Sequence, residues 1–200
     1  MPLFEYDKTV RNDYTIICGV DEAGRGPLAG DVYAAAVIFD NDIYIEGLND
    51  SKKLSEKKRE LLYDEIISKA KAYCIATASV AEIEEFNILQ ATFMAMRRAV
   101  EGLGITPDMA LIDGNREPGL NCPMQTVVKG DGLSASIAAA SILAKVSRDR
   151  YMAEIAEKYP QYCFEKHKGY GTKLHNEMIL QYGPSPVHRM SFLKKLLKNG

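Results

Sequence analysis

Ile16-Ile17-Cys18-Gly19-Val20-Asp21-Glu22 decides the fold: a short apolar run that closes on two carboxylates. A run of this length, rich in β-branched residues and stopped by Ala23-Gly24, reads as a buried strand rather than a helix. Two later stretches repeat the pattern. Met109-Ala110-Leu111-Ile112 leads to Asp113-Gly114, and Thr126-Val127-Val128-Lys129-Gly130 leads to Asp131-Gly132. If all three are parallel strands of one sheet, their C-terminal ends share the edge where open α/β sheets place their sites. Asp21, Glu22, Asp113 and Asp131 would then converge, and like charges at close range repel unless protons or cations intervene. Hard divalent cations with oxygen ligands, Mg²⁺ or Mn²⁺, answer that need. Each acidic strand end taken alone also fits a solvated turn. Asp21 and Glu22 are adjacent, so a regular strand sends them to opposite faces, and both reach one cavity only if the strand ends or bulges there.

Outward from these strands, residues 14–20 form the first strand after a loose start. Gly24, Gly26, Pro27 and Gly30 break the chain before a second strand over 32–39. Ser55 is an N-cap candidate for a helix whose face is marked by Leu61, Leu62, Ile66, Ile67 and Ala70. Residues 73–80 read as a third strand and 88–103 as a helix with Phe93, Met96, Val100 and Leu103 spaced for a core. After the strands carrying Asp113 and Asp131, Ser134 opens an Ala-rich helix to 159. The remainder holds a glycine-rich turn, a short helix over about 173–181 and a stretch broken by Pro184 and Pro186. Three strands followed by helix–strand alternation predict an α/β fold, a mixed sheet with helices on both faces, in one domain over 1–200.

The 200 residues, 46% hydrophobic and 26% charged, suit one soluble globular domain. No stretch approaches a membrane span, and Glu5 and Asp7 near the start speak against a secretory leader. Cys18, Cys74, Cys122 and Cys163 form no CxxC pair and read as reduced thiols of a cytoplasmic protein, not a zinc site. The formal net charge of -2 exerts no general pull on nucleic acid, but its distribution is uneven. Residues 121–200 carry twelve Lys/Arg against six Asp/Glu, while the first 120 residues are net acidic. An acidic front and a basic back suit a metal site beside a phosphate-binding face, or a patchwork of solvated surface.

Gly24-Arg25-Gly26-Pro27 is a second constellation. Glycines let backbone amides approach a ligand, and Arg25 adds a planar cation suited to phosphate. The segment lacks the Gly-Lys-Ser/Thr ending of a nucleotide-triphosphate loop and is no GxGxxG fingerprint; no GxSxG nucleophile is present either. Along the Ala-rich helix, Ser134, Ser141, Lys145 and Arg148 fall at helical spacing, a polar stripe that either grips a nucleic-acid backbone or faces solvent. Lys52 and Lys53, and His188 and Arg189, are further phosphate candidates. Tyr170, between Gly169 and Gly171, is placed to stack on a sugar or base, or to pack over its own turn. His167, His175 and His188 lack the spacing of a metal-binding pair.

These motifs together resemble the ribonuclease HII family in its bacterial form. The resemblance runs through Gly19-Val20-Asp21-Glu22-Ala23-Gly24-Arg25-Gly26-Pro27, Asp50-Ser51-Lys52-Lys53-Leu54, Ile112-Asp113-Gly114-Asn115 and Lys129-Gly130-Asp131. It continues through residues 136–146, Arg148-Asp149-Arg150, His167-Lys168-Gly169-Tyr170-Gly171-Thr172 and His188-Arg189. It implies a ribonuclease H-like fold, a five-stranded mixed sheet flanked by helices, with a helical C-terminal extension over about 160–200 that binds substrate. It implies an endonuclease that cuts the RNA strand of RNA–DNA hybrids and incises 5′ of a single ribonucleotide in duplex DNA, leaving 5′-phosphate and 3′-hydroxyl ends by two-metal catalysis. The four carboxylates match the family's metal site, with Asp21 bridging. Gly24, Arg25 and Gly26 match its reader of the ribose 2′-hydroxyl, and Tyr170 its junction tyrosine. Lys52, Ser141, Lys145 and Arg189 are expected among the substrate contacts. The partners implied are RNA–DNA hybrid and ribonucleotide-containing duplex, bound by a monomer. Gly132 departs from the alanine more usual after the last aspartate. The thirteen residues before the first strand leave no room for the extra N-terminal domain of ribonuclease HIII.

Overall fold

Strand β1 (Ile17–Ala23) lies at the centre of a five-stranded sheet ordered β3-β2-β1-β4-β5, in a computed structural model that describes residues 3–198. The others are β2 (Val32–Ile38), β3 (Ala72–Ala78), β4 (Met109–Asp113) and β5 (Met124–Val127). β1, β2 and β3 are antiparallel neighbours, whereas β1, β4 and β5 run parallel. The sheet is therefore mixed, and β1, β4 and β5, which carry or lead to the acidic residues, are adjacent and parallel.

Helix α4 (Ala135–Lys158) covers one face of the sheet and α3 (Val80–Glu101) the other. Alternation along β1 divides the core between them. Cys18 and Val20 pack with Ala91, Ala95 and Met96 of α3, while Ile17 packs with Leu111 and with Ile137 of α4. Gly19 faces α4, and a Cβ there would lie 2.0 Å from the Ser136 carbonyl carbon. That closeness, together with Ala135, Ala138, Ala139, Ala140 and Ala144, lets α4 lie directly on the strands.

Several boundaries differ from the sequence reading. The loose start contains helix α1 (Leu3–Val10), whose buried Asp7 accepts hydrogen bonds from the Ser136 amide (2.8 Å) and hydroxyl (2.6 Å). This carboxylate caps the first turn of α4 from a distant part of the chain, which local periodicity cannot reveal. β3 stops at Ala78 because Ser79 and Glu82 form a capping box that starts α3 early. Asn87, at φ 69°, breaks α3, and its side chain accepts from the Leu89 and Gln90 amides, so the expected helix from 88 is the second limb. β5 ends at Val127. Lys129 turns the chain through a left-handed conformation, and Asp131 lies in a 3₁₀ turn, Gly130–Gly132, rather than on the strand.

Helix α2 (Glu56–Lys69), capped by Ser55, packs beside α4. Beyond α4, helices α5 (Phe164–His167) and α6 (Lys173–Tyr182) gather around Phe164, Tyr162, Met152 and Ala29, while α7 (Met190–Lys198) turns to the α3 side, where Phe192 joins the core and Ser191 bonds Glu84. This is the helical C-terminal part anticipated from the sequence; positions 1, 2, 199 and 200 of the expected domain lie outside the described residues. No helix among the described residues is long and apolar enough to cross a membrane.

Candidate active site

Val20 pairs with Ile112 across the parallel β1–β4 ladder, so the next residues, Asp21 and Asp113, stand side by side on the α4 face. The turn after β5 brings Asp131 to the same place, where its amide donates to the Asp113 carboxylate (3.3 Å). Ligand oxygens of Asp21, Asp113 and Asp131 all lie within 4.8 Å of one another. Glu22 departs from the expected convergence. The β1–β2 register is continuous through Ala23, with no bulge, so Glu22 stays on the α3 side of the strand. There it pairs with Arg25 at 3.3 Å and lines a cleft of 120 Å³ with Asp113, Asn115, Arg116, Thr92 and Phe93. Three carboxylates form the cluster, and the fourth borders it from across the backbone.

The cluster is electrostatically strained. Asp21 is 3% exposed, and burial, then Glu22 and Asp113, push its carboxyl well above the usual range. Burial and the neighbouring Asp131 likewise raise Asp113. The cation nearest the three is the Lys52 ammonium, 3.3 Å from Asp131 and on an exposed side chain. Lys52 is aimed by Asp50, which accepts from its backbone amide, and by Ser51, whose hydroxyl lies 2.8 Å from that of Ser141. A buried all-oxygen donor set with too little positive charge fits a hard divalent cation.

Residues 24–26, the segment expected from the sequence to read the ribose, follow directly. Gly24 adopts φ 99°, and a Cβ there would fall 2.2 Å from Arg148 Nε, so glycine is required on both counts. Tyr170 stands beside it: its ring approaches to 3.9 Å of where a Cβ on Gly26 would be, and 45% of the residue is exposed. A Leu28 amide to Gly169 carbonyl bond (2.8 Å) ties the two loops together. Gly24, Arg25, Gly26, Tyr170, Lys52 and the three aspartates thus share one region.

Three residues expected to contact substrate have partners within the protein. Arg189 is fully buried, so it has no surface to offer a phosphate. Its guanidinium donates to the carbonyls of Gly24 (2.7 Å), Arg25 (3.1 Å), Pro27 (2.9 Å) and Gly30 (2.8 Å). Burial lowers its pKa to about 9, which leaves it charged at neutral pH. Ser141 is 3% exposed and hydrogen-bonds with Ser51 beneath the cluster, where its hydroxyl favours the ionised form of Asp21. Lys145 is spent on Asp149 at 2.6 Å. The polar stripe on α4 dissolves with them, because Ser134 is the buried cap and Arg148 donates to the carbonyls of Ala29, Asp31 and Lys168. Spacing placed these residues on one face correctly; it could not tell that Asp7 meets that face at Ser134, Ser51 at Ser141 and the Lys168 loop at Arg148.

A sequence model of the family described as Ribonuclease HII matches residues 18–195. The chain is 55% identical over 196 residues to ribonuclease HII of Caldicellulosiruptor saccharolyticus, covering 98% of this chain and 96% of that one. It is 59% identical over 186 residues to ribonuclease HII of Idiomarina loihiensis, covering 92% and 100%. Among solved structures, ribonuclease H2 from Pyrococcus horikoshii OT3 superposes with a TM-score of 0.76 at 28% identity, covering 92% of this chain and 98% of that one. With the acidic cluster and the fold agreeing with these likenesses, the chain belongs to the ribonuclease HII family, endonucleases of the ribonuclease H type.

Proposed function

We propose that this ribonuclease H, which hydrolyses the RNA strand of RNA–DNA hybrids, also incises duplex DNA on the 5′ side of a single embedded ribonucleotide. The observation that carries the reading is the adjacency of the Asp21–Asp113–Asp131 cluster to the Gly24-Arg25-Gly26 backbone and the exposed face of Tyr170. Only a 2′-hydroxyl separates ribonucleotide from deoxyribonucleotide at the cut, so a reader next to the acids suffices for one residue of RNA.

Asp21, Asp113 and Asp131, with Glu22 at the border, would hold two divalent cations, Mg²⁺ or Mn²⁺, which supply an activated water and stabilise the leaving oxygen. The protein does the rest. With the Gly24 and Arg25 carbonyls engaged from behind by Arg189, residues 24–26 are free to turn amides toward the sugar. Tyr170 supplies an aromatic surface for the junction nucleotide, and Lys52 positive charge for a phosphate beside Asp131. The 2′-hydroxyl is then a recognised group and not the nucleophile. Residues 1–200 act as one domain in this reading, with the part from about 160 shaping the substrate side.

The test is the chemistry of the ends. Cleavage of the RNA strand of a hybrid should require Mg²⁺ or Mn²⁺, stop in chelator and leave 5′-phosphate and 3′-hydroxyl termini. Cleavage without metal, or 2′,3′-cyclic phosphate ends, overturns the proposal.

A further inference from the structure

Three buried histidines lie behind the site and play no part in the chemistry just described. His167 and His175 stack with ring centroids 4.3 Å apart, and the Nε2 atoms of His175 and His188 are 3.1 Å apart. Their partners fix every proton. The Ser185 amide donates to His188 Nδ1 (2.9 Å), so His188 carries its proton on Nε2. His175 Nδ1 faces the Tyr170 carbonyl (2.9 Å), an acceptor, so it must be protonated, which leaves Nε2 to accept from His188. His167 accepts the Gly169 amide at Nδ1 (3.2 Å) and donates from Nε2 to the Tyr162 carbonyl (2.9 Å). All three rings are neutral and all six nitrogens are used.

The unit continues into the next residue. His188 forms an antiparallel bridge with Ala29; the Gly30 amide donates to the Val187 carbonyl and the Arg189 amide to the Leu28 carbonyl, both at 2.8 Å. From there the Arg189 side chain reaches the carbonyls of Gly24, Arg25, Pro27 and Gly30. One buried path therefore runs from the Tyr170 carbonyl through His175, His188 and Arg189 to the reader segment. Among the described residues no carboxylate lies within bonding distance of the Arg189 guanidinium, a costly group to bury, and its donors are committed to one short loop.

We propose that His175, His188 and Arg189 are positioning residues that set the Tyr170 loop and the Gly24-Arg25-Gly26 backbone in a single frame, so that the two substrate-reading elements act as one unit. The inference rests on the assignment of those elements to the ribonucleotide. By committing the carbonyls of 24, 25, 27 and 30, Arg189 leaves amides as the groups the segment can present; by fixing the Tyr170 carbonyl, His175 sets where the ring stands. None of the three belongs to the acidic cluster of Asp21, Asp113 and Asp131.

The experiment is a double-mutant cycle on incision at a single ribonucleotide, measured at saturating substrate. His188→Asn and Arg189→Lys are each made alone and in combination with Tyr170→Ala. Each variant is checked for cooperative melting and for the melting shift given by Mn²⁺, and is assayed at least 10 °C below its own midpoint. Misplacement by an ångström costs about a hundredfold in favourable cases, so a loss of about ten- to a hundredfold in kcat is expected from either variant alone, with the Mn²⁺ response kept. In the Tyr170→Ala background His188→Asn should cost clearly less than in the parent, since the ring is gone and only the backbone of residues 24–26 is left to position. Multiplicative losses in the cycle overturn the inference, because a merely structural role lowers activity independently of Tyr170. A Tyr170→Ala protein as active as the parent overturns the reading of Tyr170, and the inference with it, by a result distinct from multiplicativity. Loss of the Mn²⁺ shift in His188→Asn or Arg189→Lys overturns the claim that the unit is separate from the metal site.

Discussion

Asp21→Asn should make the protein inactive and more stable. The carboxylate is buried among like charges, its ligand oxygen within 4.8 Å of those of Asp113 and Asp131. Two unit charges at that separation repel by roughly 3 kcal/mol at an effective dielectric of about 20. Lys52 and partial proton uptake offset part of the repulsion, leaving about 2 kcal/mol to be regained when one charge is removed. Asparagine keeps the carbonyl oxygen that accepts the Glu22 amide (2.7 Å), so no hydrogen bond need be lost. In chelator the variant should therefore melt roughly 4–8 °C above the parent. The sign with pH follows from the direction of the shift. A carboxyl whose folded pKa is raised destabilises the fold above that pKa, so the gap between the two proteins should close as pH falls through it. The assay is thermal unfolding in chelator and in saturating Mn²⁺, beside cleavage of a hybrid. The variant should show little of the Mn²⁺-induced rise and no cleavage. Melting at or below the parent in chelator, or near-normal turnover, would refute the electrostatic account.

Other predictions concern the frame around the site. Gly19→Ala drives a methyl into the α4 backbone, 2.0 Å from the Ser136 carbonyl carbon, and should cost about 3 kcal/mol or more; a loss under about 1 kcal/mol in urea unfolding would mean that α4 does not rest on β1. His175 and His188 are both held near a pKa of about 4, chiefly by burial, against an ordinary value of 6.5. The unfolded chain takes up protons that these folded imidazoles refuse. Their stabilising contribution is thus full above about pH 6.5 and is lost as pH falls toward 4, up to roughly 3 kcal/mol for each ring. Imidazole resonances should show both rings still neutral at pH 5, and midpoints near 6.5 would contradict the tautomer assignment. Tyr170→Ala should impair cleavage at a ribonucleotide junction more than it weakens duplex binding; equal losses in the two would make the ring a packing residue only.

What the sequence disclosed and what it hid have separate physical causes. Apolar runs of strand length, each ending beside glycine, located β1 and β4 and brought Asp21 and Asp113 to one edge, because strand patterning is a local property. The same rule of alternation warned that Glu22 faces away from Asp21, and the unbroken β1–β2 register bears that out. Asp131 was placed on a strand, whereas a left-handed Lys129 ends β5 early and delivers it from a turn. Helix α1 was missed because what gives it a tertiary role is Asp7 at the α4 N-terminus, a contact invisible to any short window. Helical spacing and the family resemblance point to Ser141 and Lys145, and the resemblance to Arg189, as substrate contacts. Burial engages Arg189 and Ser141 within the protein and an ion pair engages Lys145, and burial of a charged side chain is the property that composition signals least.

The central claim is that the acids and the reader segment act on the same nucleotide. It is tested most directly by incubating the protein and Mg²⁺ or Mn²⁺ with duplex DNA containing one ribonucleotide, beside an all-DNA duplex of the same sequence. A single incision on the 5′ side of the ribonucleotide, with the all-DNA duplex untouched, is the predicted result. Cleavage of long hybrids with the single-ribonucleotide duplex left intact would contradict it.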